Sequence, residues 1–150
     1  MMKNAKQDYT KKAALQYLLD NAERLLENST LYSILVENMS AEYDGDKFVD
    51  AKGHDQINET TGIRKEVKNT NSPLCTGEHR IQSFLKKKNH FDILKIIDSY
   101  NNRVFEIPHD VVFSEAAVYG GEIRWSSSYG ETDNKRPVNT NMLLKYEVEL

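Results

Sequence analysis

The chain holds a single cysteine, Cys75, among 150 residues. An intrachain disulfide and a four-cysteine metal site are both excluded, and a reducing cytoplasm is the natural home. Long apolar runs are missing as well. In "MMKNAKQDYTKKAALQYLLDNAERLL" the residues Asp20, Glu23 and Arg24 interrupt the apolar positions and no small-residue cleavage site follows. This stretch is neither a signal peptide nor a membrane span. Neither sign of charge dominates: 20 Lys and Arg stand against 23 Asp and Glu, a formal net charge of -3, which argues against a generally basic nucleic-acid binder. The objection weakens where carboxylates serve metal ions, because the formal count then overstates the negative charge. There is no internal repeat, no low-complexity tract beyond the lysine triplet Lys86–Lys88, and no Gly-rich phosphate loop of the Walker kind.

What is present suits an ordinary folded chain: 39% hydrophobic and 29% charged residues, with eight Tyr and five Phe. The length predicts one domain, 1–150, able to bury a core unaided. The helical recurrence of Ala13, Leu15, Leu18, Ala22, Leu25 and Leu26 predicts one helix over 9–26. Ser29 or Thr30 can cap a second helix ending near Tyr43, with Leu31, Ile34, Leu35 and Met39 as its apolar stripe. From Lys47 the β-branched residues, punctuated by Gly53 and Gly62, predict a strand and then a hairpin. "EHRIQSFLKKK" has helical spacing, with Arg80 and Lys86–Lys88 on its polar side. "HFDILKIID" and "RVFEIP", joined by the turn "SYNN", are the most apolar strand candidates and the predicted centre of a sheet. From His109 onward the chain mixes strand-like pieces, "AVYGGEIRW" and "LLKYEVEL", with a polar stretch.

The hairpin "GHDQINETTGIRKEVK" carries the chemistry. Side chains alternate along a strand, so Arg64, Glu66 and Lys68 share one face. A loop of Glu59 to Gly62 makes Asn58 meet Ile63, and counting back puts Asp55 opposite Glu66 and Lys68 opposite Gly53, whose missing side chain leaves space beside the ammonium. Directly opposed Cβ atoms lie about 4.5–5.5 Å apart. Two carboxylates at that distance repel unless solvent or a cation relieves them. A divalent cation does so, and the set suits phosphodiester hydrolysis: two acids hold Mg²⁺, which polarises a phosphoryl oxygen and acidifies water, while Lys68 orients the attacking water and stabilises charge on the phosphorane. The acid-x-Lys triplet alone is weak, since "DAK" and "DNK" also occur. Glu66-Val67-Lys68 is distinguished by the acid eleven residues upstream on a facing strand, with a basic helix and two apolar strands after it.

At these residues the chain resembles the PD-(D/E)xK, restriction-endonuclease-like nuclease superfamily, in "KGHDQINETTGIRKEVKNTN", "HRIQSFLKKKNHFDILKIID" and "RVFEIPHDVVF", over about residues 31–113. The resemblance implies an α/β fold: a restriction-endonuclease-like mixed β-sheet of about five strands flanked by α-helices, with helices over 9–43, a catalytic core of about 44–113 and a strand and loop region over 114–150. It implies that Asp55 and Glu66 are metal-binding acids, that the Val67 carbonyl is a further ligand, that Lys68 is the catalytic lysine, and that Glu37 on the preceding helix is the acid many members add. Mg²⁺, with Mn²⁺ as a substitute, is the implied cofactor. The family's Pro-Asp dipeptide is here His54-Asp55, which leaves His54 without a role.

The activity so implied is that of a small type II restriction enzyme acting on double-stranded DNA, with a homodimer to cut both strands. The alternatives are a non-catalytic DNA-binding or defence-associated interaction protein that keeps the fold, and a nuclease for branched DNA or RNA. Gln82 could reach the site from the helix after the hairpin. Lys86, Lys87 and Lys88 are either a helix C-terminus complementing the dipole or a phosphate-binding edge. Arg124, Trp125, Tyr129, Lys135 and Arg136 either contact DNA with Arg80 or form ordinary surface. Cys75-x-x-x-His79 is half a zinc motif without a second half, and no HNH arrangement can be placed.

Overall fold

The computed structural model describes residues 7–51, 53–71, 78–81, 90–118, 121, 123–126 and 140–150. They divide into two compact units, Met1–Leu35 and Val36–Leu150.

In the first unit the predicted helix over 9–26 is two helices, α1 (Lys11–Asp20) and α2 (Ala22–Leu26). Asn21 separates them: its backbone is non-helical at φ -122, ψ 20, and its side-chain amide donates to the Tyr17 carbonyl at 2.9 Å. Asparagine offers the backbone such a local alternative to the helix ladder. Thr10 caps α1, its hydroxyl accepting the Ala13 N–H at 3.3 Å. Asn28, rather than Ser29 or Thr30, caps α3 (Ser29–Asp44), its Oδ1 accepting the Leu31 N–H at 3.0 Å.

In the second unit the last two turns of α3 lead into β1 (Lys47–Ala51), β2 (His54–Ile57) and β3 (Arg64–Thr70). Then come β4 (Glu78–Ile81), β5 (Ile93–Asp98), β6 (Arg103–Pro108), α4 (His109–Val118), β7 (Ile123–Ser126), α5 (Thr140–Lys145) and β8 (Glu147–Val148). Six strands form one mixed sheet in the order β1-β2-β3-β5-β6-β8, and β4 pairs with β7 in a separate two-stranded sheet. Only β3 and β5 are parallel; the other neighbours are antiparallel. The α/β class and the mixed sheet are as predicted, with β5 and β6 inside it. The sixth strand is β8, a two-residue edge taken from "YEVEL".

Alternation along the strands gives the sheet two unlike faces. Leu94, Ile96, Phe105 and Ile107 pack with Phe91, Val112 and Ala116 of α4, Ile123 of β7 and Leu143 of α5 into the apolar core. Each such side chain contributes roughly 1.5–3 kcal/mol on burial. After His109 the strand-like pieces "AVYGGEIRW" and "LLKYEVEL" supply β7 and β8, and the helices α4 and α5 beside them are additions to the prediction. Residues 109–118 form α4, which carries Val112 and Ala116, one turn apart, into the core, and Asp110 in the first turn suits its dipole.

The opposite face is polar. Gln56 is fully buried there, its amide donating to Asp44 at 2.7 Å and Asp46 at 2.8 Å while the Ser40 hydroxyl donates to its Oε1 at 2.7 Å. Lys65 reaches Asp44 at 3.1 Å and Glu106 at 2.9 Å, and Lys95 reaches Asp44 at 2.8 Å. This face explains why the predicted apolar stripe of α3 is wrong. The helix buries Val36, Ser40 and Ala41, while Ile34, Leu35 and Met39 remain exposed.

Candidate active site

The hairpin folds as its loop length predicts. Asn58 donates its N–H to Ile63 and accepts that of Gly62, while its side-chain oxygen takes the N–H groups of Thr60 and Thr61. Gly62 adopts φ +74, a left-handed conformation that favours glycine. The resulting register pairs Ile57 with Arg64 and Gln56 with Lys65. Continued one residue past Gln56, this register sets Asp55 beside Glu66.

There the carboxylate of Asp55 enters the ladder itself, its Oδ2 accepting the Val67 N–H at 2.7 Å. Glu66 is 5% exposed, and its Oε1 lies 2.9 Å from the Lys68 ammonium. The Lys68 side chain remains one-third exposed. Asp55, Glu66, the Val67 backbone and Lys68 are therefore gathered at one point of the sheet, on the face that carries the apolar core. Arg64, which shares their face, is turned to a different partner. It makes a two-pronged pair with Asp92, 3.2 Å on each prong, and the Arg64 N–H donates to the same carboxylate at 2.8 Å. That pairing holds Asp92 below the usual carboxylate range and raises Arg64.

Other predicted residues lie apart from this point or outside the description. Glu37 is half-buried on α3, one turn before Ser40, on the stripe that meets the polar face of the sheet. The space expected beside Lys68 at Gly53 is not there: a Cβ on Gly53 would lie 2.2 Å from that of His90, and the glycine sits at φ +91. His54 encloses its Nδ1 without a hydrogen-bond partner among the described residues. Arg80 belongs to a strand, not to the predicted helix, and the β4–β7 register pairs it with Arg124 and pairs His79 with Trp125. Gln82, Lys86, Lys87, Lys88, Tyr129, Lys135 and Arg136 lie outside the described residues.

The polar face behind the hairpin was not foreseen. A signal for it existed: "ILKIID" and "RVFEIP" each carry one charge amid apolar residues, and Lys95 and Glu106 pair across β5 and β6. Burial opposes the charge on Asp44, yet hydrogen bonds from Lys95, Gln56 and Lys65 outweigh it and hold the carboxyl below its ordinary range. Lys65 is raised in the same way, burial being outweighed by Glu106 and Asp44.

No family model matches the chain, and no curated protein matches it. Among solved structures it is similar to the bacterial homing endonuclease I-Ssp6803I, at 20% identity and a TM-score of 0.45, over 81% of this chain and 84% of that one. No helix among the described residues is long and apolar enough to cross a membrane.

Proposed function

We infer that the chain is a divalent-metal-dependent DNA endonuclease of PD-(D/E)xK character. The observation that carries this reading is the gathering of Asp55, Glu66 and Lys68 about Val67, with the Asp55 carboxylate 2.7 Å from the Val67 N–H and the Lys68 ammonium 2.9 Å from Glu66. Two carboxylates and the Val67 carbonyl are an all-oxygen donor set, which fits a hard cation. No group of three or more His, Cys, Asp or Glu gathers among the described residues, so an ion held by these two acids would take most of its coordination from water, as Mg²⁺ can. Bound there, the ion would polarise the scissile phosphate and acidify a water.

The chain's own residues do the positioning. Asp55 is fixed by the Val67 amide, and Glu66 by burial and by Lys68. The exposed third of Lys68 leaves its ammonium within reach of a phosphate oxygen, where a compact cation stabilises developing negative charge. A chain with one such site cuts both strands of a duplex most simply as a two-fold homodimer.

The test is cleavage of supercoiled plasmid in Mg²⁺, with and without chelator, beside Asp55→Asn and Glu66→Gln. Cleavage abolished by chelator and by either substitution is expected; activity persisting in chelator removes the metal from the mechanism. Branched DNA and RNA assayed in parallel decide the substrate. One observation favours a second reading, a non-catalytic nucleic-acid-binding or defence-associated interaction protein. Glu66 already has a cation in Lys68, and a closed ion pair needs no metal. Nucleic-acid binding without cleavage, and without metal affinity by calorimetry, would select it.

A further inference from the structure

A cavity of about 380 Å³ opens where β3 and β5 begin and β6 passes into α4, lined by Arg64, Phe91, Asp92, Pro108, His109 and Asp110. Its volume stands at the lower end of the range for small-molecule sites and suits one nucleobase, not a duplex. The backbone ties its walls together. The Asp92 N–H donates to the Arg64 carbonyl at 2.9 Å, the Arg64 N–H to Asp92 Oδ2 at 2.8 Å, and the His109 N–H to the Asp92 carbonyl at 2.9 Å.

His109 fixes a side chain as well. Its Nδ1 lies 2.8 Å from Asp110 Oδ1, and a carboxylate only accepts, so Nδ1 carries a proton. Nε2 is buried with no hydrogen-bond partner among the described residues, which is unfavourable. Phe91 and Phe113, with ring centroids 5.9 and 4.5 Å away, nevertheless hold the ring in place. What the arrangement gains is a fixed direction for Asp110, whose side chain is otherwise 99% exposed.

The charges decide what the cavity takes. A helix N-terminus beside an arginine suits phosphate, and α4 begins here. Asp110, however, already complements the helix dipole, and Asp92 already meets Arg64 on two prongs. Two carboxylates against one guanidinium disfavour an anion. A neutral, planar group that accepts from the guanidinium and donates to a carboxylate fits instead. Guanine offers two points to each: O6 and N7 accept from an arginine, and N1–H and N2–H₂ donate to a carboxylate. Adenine, cytosine and thymine each present one donor group. Arg64 is two residues from Glu66 on the same face, about 7 Å along the strand, and a stacked strand advances about 3.4 Å per nucleotide.

We propose that this cavity receives an unpaired guanine of the nucleic-acid substrate, within about two nucleotides of the scissile phosphate, with Arg64 on its acceptor edge and Asp110, aimed by His109, on its donor edge. The source of the base rests on the nuclease reading; the capacity of the cavity to bind it does not.

The test is a titration of the isotope-labelled full chain with deoxyguanosine, deoxyadenosine, deoxycytidine or thymidine, without metal, followed by the amide resonances of Arg64, Asp92, His109 and Asp110. Saturable shifts with deoxyguanosine are expected in the millimolar range, with the other three nucleosides weaker by about fivefold or more, the loss of one two-point contact. Asp110→Ala, at an exposed position, should remove the preference. His109→Phe keeps the ring packing and deletes the orphan nitrogen, so it should raise the thermal transition while weakening deoxyguanosine. No saturable shift with deoxyguanosine, an equal response to all four nucleosides, or a preference kept by Asp110→Ala overturns the proposal. Shifts given instead by inorganic phosphate, or by methylguanidinium as the mimic of a partner protein's arginine, overturn it as well. Neither metal nor cleavage enters the measurement. A chain that binds deoxyguanosine and cuts no DNA keeps the cavity and loses the nuclease, and one that cuts DNA without binding deoxyguanosine does the reverse.

Discussion

Asp44→Asn should be the most costly conservative substitution on the polar face of the sheet. A single oxygen, Asp44 Oδ2, accepts from Lys95 at 2.8 Å, Lys65 at 3.1 Å and Gln56 at 2.7 Å. Lys65 retains Glu106 when Asp44 is neutralised, and Gln56 retains Asp46. Lys95 is left worse off: its side chain is 6% exposed, and Asp44 is its only ion-pair partner among the described residues. Stranding a buried charge in this way costs about 3–5 kcal/mol. Lys95→Met should cost less, about 1–2 kcal/mol, because Asp44 keeps two donors and is partly solvated. The double variant strands nothing at Lys95, so it should be more stable than Asp44→Asn alone by about 1 kcal/mol, which with the cost of Lys95→Met makes a coupling of about 2–3 kcal/mol, the size expected for directly bonded groups. Urea unfolding with a shared m-value measures all three. The reasoning fails if Asp44→Asn costs under about 1 kcal/mol, or if adding Lys95→Met lowers its stability further.

The same cluster sets a pH dependence. Asp44 and Asp92 have folded pKa values below their unfolded ones, so their stabilisation is present above about pH 4 and lost as pH falls through the folded values. Lys65 is raised, so its contribution holds below about pH 10 and is lost above its folded value, and Asp44→Asn should flatten the acid limb of a urea-midpoint profile. Gly53→Ala, at φ +91 with His90 at 2.2 Å, should cost about 3 kcal/mol or more, and Gly62→Ala, at φ +74 in open space, about 1 kcal/mol; similar costs by thermal unfolding would refute the steric difference. Lys68→Ala should lower the single-turnover cleavage rate by several orders of magnitude while DNA affinity in Ca²⁺ is nearly kept. A variant that cuts at the normal rate once saturated ends the catalytic assignment of Lys68.

What was legible in the sequence followed from local rules. The hairpin register was readable because a four-residue loop with Gly62 at its end fixes which residues pair, Ile57 with Arg64 and Gln56 with Lys65. The strands β5 and β6 were readable from unbroken apolar runs. The failures are tertiary. No helix was read in "HDVVFSEAAV", which forms α4, because its valines weaken the helical signal and the core that receives Val112 and Ala116 is assembled from distant strands. "EHRI" has the spacing of a helix start and became β4, because its partner β7 lies more than forty residues along the chain, where no local pattern announces it. On α3 the apolar spacing marks a stripe that the fold leaves exposed, because nothing local shows that the sheet face meeting the helix is charged.

That charged face bears on the candidate site. Gln56 and Lys65 are the chain neighbours of Asp55 and Glu66, paired with each other across β2 and β3 and pointing the opposite way. On their side the hairpin is tied to α3 through Ser40 and Asp44, to the turn after α3 through Asp46, and to β5 and β6 through Asp44 and Glu106. Two opposed carboxylates would tend to spread the strands that carry them. The hydrogen bonds behind the sheet resist that spreading at the same two positions, so a buried polar network, costly as a source of stability, is well placed as a brace. On this account the acid pair and the ionic cluster are one device on two faces of a hairpin. Gln56, at 0% exposure with three hydrogen bonds, is the residue through which a change on the polar face would be felt at Asp55.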